Sequence, residues 1–386
     1  MLADRAPAIG VEEEFLLVDT DSRLLTAGSE AVVTAARSVG IAAERELTLY
    51  QVETNAPPLK DVRAVHEHVI DTRRTLSAVA VSQGVDLVAL GLPTTPVPDR
   101  GNEPITDSER YRLLAANYGA LAFDDASCGC HVHVEVPDKA TAIAAGNHLR
   151  PWLPTLLAMT ANSAVHGGAD TGFASWRSVL WGRWPTAGPP PFLRSVSHYD
   201  EVVGTLLQTR TILDEANLYW DVRPSSHQPT VEIRVSDVPA VADDTALLAA
   251  LVRALVLTAQ WSHERGDDPP EPERTRLEAA YFCARKHGLD GNGVDPMTGR
   301  AVRPRLLIEQ LVHHVRPALA YTGDLDHVAS LLQRLAHNGN GASRQRRVFA
   351  ATGDAVEVMK MAVLATTTDG TAQCPVTERA AVGAHP

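Results

Sequence analysis

Carboxylates, imidazoles and arginines recur in this chain inside segments that otherwise read as buried β-strands. The densest is Ile9 to Val18, IGVEEEFLLV, with three consecutive glutamates. Because side chains alternate along a strand, Glu12 and Glu14 share one face with Gly10, while Glu13 points the other way with Val11 and Phe15. Two like charges ~6–7 Å apart on one face repel unless a cation sits between them, and buried charges are normally paired or metal-bound. A divalent metal suits such a face; a solvated edge strand is the plainer explanation of this stretch taken alone. CGCHVHVEVPD, from Cys128 to Asp138, sets Cys128, Cys130, Val132, Val134 and Val136 on one strand face and His131, His133 and Glu135 on the other. Ligands on opposite faces of one strand cannot close a zinc tetrahedron, so the cysteines are expected in the core. A third strand, Thr230 to Val235, turns Val231, Ile233 and Val235 inward and puts Glu232 and Arg234 on its polar face, where a surface ion ladder would also explain them.

The elements that must position these groups follow from pattern and punctuation. Ser29 to Val39 reads as a short helix with Ser29 as N-cap and Gly40 as stop. A strand from Glu44 to Glu53, ending in ETNAPP, carries Glu46 and Glu53 in opposite parity; they serve one site only if the strand bulges or the site wraps around its end. Asp61 caps a long amphipathic helix closed near Gly84, and Val85 to Leu90 is a further strand. Helices are expected near Asp107 to Tyr118, over Pro137 to Ser163 with a break at Pro151, near Asp200 to Leu213, and over Thr245–Arg265, Glu273–His287, Arg303–Tyr321 and Asp326–His337. Between them, His166 to Phe192 is rich in Gly and Pro and holds Trp176, Trp181 and Trp184 with Arg177 and Arg183. Such a segment suits a binding loop or lid in which Arg grips phosphate or carboxylate and Trp stacks or excludes water; ordinary packing is the alternative. The turn HNGNGASRQRR, His337 to Arg347, could hold phosphate or simply start a solvated basic helix.

Composition narrows the function classes. The 386 residues, 45% hydrophobic and 21% charged, suffice for one large domain, expected over 1–365 with a loose tail at 366–386. A formal charge of -12 argues against nucleic-acid or anionic-membrane partners, which call for concentrated Lys and Arg. Four cysteines in so long a chain, with no signal-peptide pattern, favour the cytoplasm. The longest apolar run, Ala246 to Leu257, is interrupted by Arg253.

If the polar strand faces join in one sheet, five carboxylates meet, and each close pair repels by about 4 kcal/mol at an effective dielectric of 20. Several divalent cations would relieve that. Oxygen-rich ligation with an occasional His suits Mg²⁺ or Mn²⁺, and Mg²⁺ beside arginines is equipment for ATP-dependent phosphoryl transfer. With no Walker motif present, the phosphates would rest on a sheet.

Together, GVEEEF at 10–15, ETNAPP at 53–58, HVHV at 131–134, ASWRSVLWGRWPTAGPPP at 174–191, YWDVRPS at 219–225 and TVEIRVSDVP at 230–239 resemble the carboxylate-amine ligase family, also called glutamate-cysteine ligase type 2. The resemblance runs from Ile9 to about Phe349. It implies an α+β, glutamine-synthetase-like fold related to the guanidino kinases, an antiparallel sheet cupping the active site with helices outside, and often a homodimer. It assigns the metals to Glu12, Glu14, Glu46, Glu53, His131 and Glu232, with Glu53 also catalytic. Arg234 falls beside the transferred phosphate or the substrate carboxylate. Arg177, Arg183, Trp184, Arg223 and His133 are further candidates for ATP or substrate binding. The implied reaction is attack of a carboxylate, the γ-carboxylate of L-glutamate, on ATP to give an acyl phosphate that an amine, by default L-cysteine, captures. A guanidino or amino-group kinase and a metal- or nucleotide-binding protein without turnover are the alternatives. One departure bears on the amine: after Ala161-Asn162-Ser163 the family commonly continues with Pro and an aromatic, and this chain has Ala164-Val165-His166.

Overall fold

The computed structural model describes residues 6–98, 104–123 and 126–368. In chain order the strands of the described residues are β1 (Ile9–Asp19), β2 (Ala43–Arg45), β3 (Gln51–Asn55), β4 (Val85–Val88), β5 (Gly129–Glu135), β6 (Val165–His166), β7 (Ala169–Asp170), β8 (Val222–Pro224), β9 (Thr230–Asp237) and a small separate pair, β10 (Gly293–Val294) and β11 (Ala301–Val302). Seven of them form one antiparallel sheet in the order β2-β3-β1-β5-β9-β8, with β4 beside the C-terminal half of β1; β6 and β7 make a separate hairpin.

The alternation seen in the sequence decides the two faces. Val11, Cys130, Val132, Val134, Val231, Ile233 and Val235 point into one core with the helix Ala242–Arg265, whose apolar residues are buried nearly all round. Around that helix pack Val62–Ser82, Lys139–Leu149 and Pro304–Thr322. Asp243 and Asp244 lie in its first turn, where the helix dipole favours them, and Gly266 ends it in the left-handed region. Arg253 interrupts its apolar run because it is an internal brace: its guanidinium bonds the Asp324 carboxylate and the Lys60 carbonyl. Among the described residues no helix is long and apolar enough to cross a membrane.

The middle glutamate of the EEE run belongs to this buried side. Glu13, 3% exposed, accepts from Arg73 Nε at 2.9 Å and Nη2 at 2.6 Å and from Thr245 Oγ1 at 2.6 Å, tying β1 to two helices. Cys128 and Cys130 are fully buried in the core, as expected.

Three expectations change. Glu44 to Glu53 is not one strand: the chain reverses after Arg45, and β2 pairs back on β3 with Glu44 opposite Glu53. Gly28, not Ser29, is the N-cap of the helix Ser29–Ser38. Within the Trp-rich segment, Ser175 caps a short helix, Trp176–Trp181. The break at Pro151 is a 3₁₀ turn, Arg150–Trp152, between the helices Lys139–Leu149 and Leu153–Thr160. The last helix runs Ala355–Thr366, and of the expected tail residues 369–386 lie outside the described residues.

Candidate active site

The concave face of the sheet floors a cavity of about 1120 Å³. Strand register aligns its acids. Glu12 lies opposite His131 on β5 and Asn55 on β3, Glu14 opposite Glu53, and His133 opposite Glu232. The β2–β3 reversal brings Glu46, in the intervening turn, to Glu53 without the parity conflict that a continuous strand would impose. Between Cys130 and Val132 the β5–β9 register slips, so Arg234 and Val235 together oppose His131. That bulge re-aims Arg234 at the acids: its Nη1 is 3.4 Å from His131 Nδ1 and bonds Glu232 Oε1.

Two groups of side chains able to hold a cation result. Ligand atoms of Glu12, His131 and Glu232 all lie within 4.8 Å of one another. Burial opposes charge on Glu12, yet bonds from His131 and His133 hold its carboxyl far below the usual range. Burial likewise opposes charge on Glu232, and the Arg234 and Arg223 cations overcome it. His131 is shifted down by burial and then by Arg234, which leaves a neutral imidazole able to bind metal. In the second group, Glu14, Glu46 and Glu53 face one another. Burial, then the charge and hydrogen bond of Glu46, then Glu12 and Glu14, push Glu53 well above a normal carboxyl. Burial and Glu46 raise Glu14 as well, although the Gly129 N–H donates to it at 2.5 Å. Buried carboxylates raised by one another lack positive charge. All-oxygen donors with one neutral imidazole fit Mg²⁺ or Mn²⁺.

The glutamate-cysteine ligase family 2 model matches residues 8–363. This chain belongs to the glutamate-cysteine ligase family 2. A protein of Nocardia farcinica, assigned provisionally by its name to glutamate–cysteine ligase 2, is 47% identical over 354 residues, 92% of each chain. Two solved structures share the fold at a TM-score of 0.68, each covering 96% of this chain. One is the glutamate–cysteine ligase of Francisella tularensis in complex with AMP, 12% identical with 90% of its own chain covered. The other is the bifunctional glutathione synthetase of Pasteurella multocida, 15% identical with 53% covered. The chain is therefore a ligase with the glutamine-synthetase-like architecture of this family.

Within this family member, the remaining expected residues divide by location. His133, Arg183, Trp184, Arg223 and Arg234 line the cavity. Arg223 is already committed: Nε and Nη2 hold Glu232 at 2.8 and 3.3 Å, and Nη1 donates to the carbonyls of Glu215, Ala216 and Leu218. It orients Glu232. Arg177, expected to bind substrate or phosphate, stands behind the wall, 3% exposed, with Nη1 3.2 Å from the Ser236 carbonyl and 3.7 Å from Asp237. Asp237 also accepts from the Asn162 N–H and the hydroxyls of Ser163 and Ser175, fastening the Trp-bearing helix to β9. Ala164-Val165-His166 is another correction. It is buried against Pro93 and the C-terminal helices and does not line the cavity. The arginines after Asn340 are helical and engaged, Arg344 with Asp244 and Arg346 with Asp170. Sequence reading missed Arg110, Tyr111 and Tyr219 on the cavity wall. Only Tyr219 had a signal, in YWDVRPS; burial and the charges of Glu46 and Glu53 raise Tyr111.

Proposed function

We propose that this protein joins the γ-carboxylate of L-glutamate to an amine at the expense of ATP, with L-cysteine, the amine in the family's name, as the reference acceptor. The convergence of Glu12, Glu14, Glu46, Glu53, His131 and Glu232 on one cavity beside Arg234 carries this reading. Bound Mg²⁺ would neutralise phosphate charge and template the reacting oxygens. Glu12, His131 and Glu232 are the ligands nearer Arg223 and His133, and Glu14, Glu46 and Glu53 form the second set. Arg234, anchored by Glu232, supplies planar donors where charge accumulates as the phosphoryl group passes to the carboxylate. The acyl phosphate is held from water until an amine nitrogen attacks its carbonyl, phosphate leaves and the nitrogen loses a proton. The resemblance also implies a homodimer, which sedimentation equilibrium would check.

Trapping tests the reaction without knowing the acceptor. Protein with ATP, Mg²⁺, L-glutamate and hydroxylamine should release ADP and γ-glutamyl hydroxamate. ADP with a stable phosphorylated product would make it a kinase instead, and no turnover of ATP would leave a binding protein. Hydroxamate from a different carboxylate would keep the ligase and change the donor.

A further inference from the structure

Register gives the cavity two unlike ends. Toward Gly10, His133 and Thr230 it is walled by Asn55, Lys60, Ser225, Ser226, His227 and Gln228, a polar rim suited to a sugar and phosphates. Past Glu14, Glu53 and Arg234 the wall becomes aromatic. Trp181 and Tyr219 meet at 5.1 Å and 70°, Trp184 and Tyr219 at 5.5 Å and 74°, and Tyr118 closes on Trp184 at 5.3 Å. Leu114 and Leu121 continue this surface, and Arg110 and Arg183 stand in the same cavity wall.

We infer that the aromatic end selects the amine acceptor, and that this acceptor is an amino acid with a branched aliphatic or aromatic side chain larger than that of cysteine. The inference rests on the ligase reading above. Trp181, Trp184 and Leu121 are half-buried, with Leu114 buried behind them, and a single CH2SH arm is too short to cover the apolar surface that the two tryptophans and Leu121 still expose. A leucine- or phenylalanine-sized side chain removes it from water. The acceptor's α-carboxylate has Arg110 and Arg183 to meet. A purine is the other flat, apolar candidate, but the ring planes form a corner: Tyr219 stands nearly perpendicular to both tryptophans, leaving no parallel slot for a base. The polar end supplies the groups a nucleotide needs. Geometry also places the aromatic wall beside the Glu46–Glu53 side of the centre through Tyr111, whose helix carries Leu114 and Tyr118.

Initial rates with ATP, Mg²⁺ and L-glutamate, using L-cysteine, L-leucine, L-phenylalanine and hydroxylamine as amines, test this. For the wild-type protein, kcat/KM for leucine or phenylalanine should exceed that for cysteine by about tenfold or more. Trp184→Ala should lower the ratio of kcat/KM for that amine to kcat/KM for hydroxylamine by about tenfold, through KM, and Trp184→Phe should recover most of it. Preference for cysteine in the wild type would overturn the inference whether or not a variant folds. So would a Trp184→Ala protein that raises KM for ATP while the amine ratio stands still, since that would put the nucleotide at the aromatic end. Hydroxamate formation in every arm keeps the ligase reading separate: its presence with cysteine preferred sinks this inference alone, and its absence sinks both.

Discussion

Glu53 is a half-buried carboxyl on the cavity floor among other carboxyls, and its titration has a definite sign. Its folded-state pKa lies well above the reference 4.5, through burial first and then Glu46, so the folded protein holds the proton more tightly than the unfolded chain. Stability of the metal-free protein is therefore present below about 4.5 and lost as pH rises from there through the raised folded value. Glu53→Gln removes that loss while keeping the side-chain volume. In EDTA its melting temperature should exceed wild type at pH 7 to 8 and match it near pH 4, by about 1 °C for each 1 kcal/mol relieved in a chain of this length; its ligase activity should be lost. A variant that melts lower at neutral pH would show that Glu53 has a compensating partner. Arg234 offers a second test. Arg234→Lys keeps the charge and loses the planar fork, so kcat should fall by about 10²-fold while KM for ATP changes much less. Most of these residues were legible because strand parity separates Glu12 and Glu14 from Glu13. Tyr111 and Arg110 were not, since a helix that merely lines a cavity carries no distinguishing spacing.

At the scale of elements, β1 works because its two faces have different owners. One side turns Glu12 and Glu14 into the cavity, and the other is pinned by the Glu13–Arg73–Thr245 bonds. Arg73 is 1% exposed and also donates to the Pro239 carbonyl. Arg73→Ala leaves Glu13 as an uncompensated buried charge, and should cost about 3–5 kcal/mol in urea unfolding. A loss under 1 kcal/mol would mean that water reaches Glu13. The sequence showed β1, β5 and β9 clearly, because apolar alternation persists through their polar faces. It hid the β2–β3 reversal: Leu47-Thr48-Leu49-Tyr50 contains none of the Gly, Pro or Asn that usually announce a turn. The reversal is held instead by a local side-chain bond, Thr48 Oγ1 to Gln51, and by a distant one, the Leu49 N–H to the Pro104 carbonyl. Arg177 was misplaced for a related reason. Its neighbour Gly129 has no side chain, and a Cβ there would come within 2.4 Å of Arg177 Nη2, so the guanidinium fits behind β5 through an absence that spacing cannot reveal.

For the whole molecule, the carboxylate cavity and the nucleotide are electrostatically incompatible without cations. A formal charge of -12 and a floor of glutamates repel a triphosphate, while Arg223 and Arg234, the cations at the floor's centre, are both already bound to Glu232. On the proposed function, Mg²⁺ and ATP bind with positive coupling, each lowering the charge the other meets. Thermal shifts read this directly, since a ligand at 100 times its Kd stabilises the folded state by about 2.7 kcal/mol. ATP in EDTA should move the melting temperature little and Mg²⁺ alone modestly. Both together should exceed the sum. Glu53→Gln removes one of the repelling charges and one ligand, so in that variant ATP alone should shift the melt more than in wild type and the excess over additivity should shrink. Additive shifts in the wild-type protein would mean that nucleotide and metal occupy separate places, and the glutamate floor would then have another use.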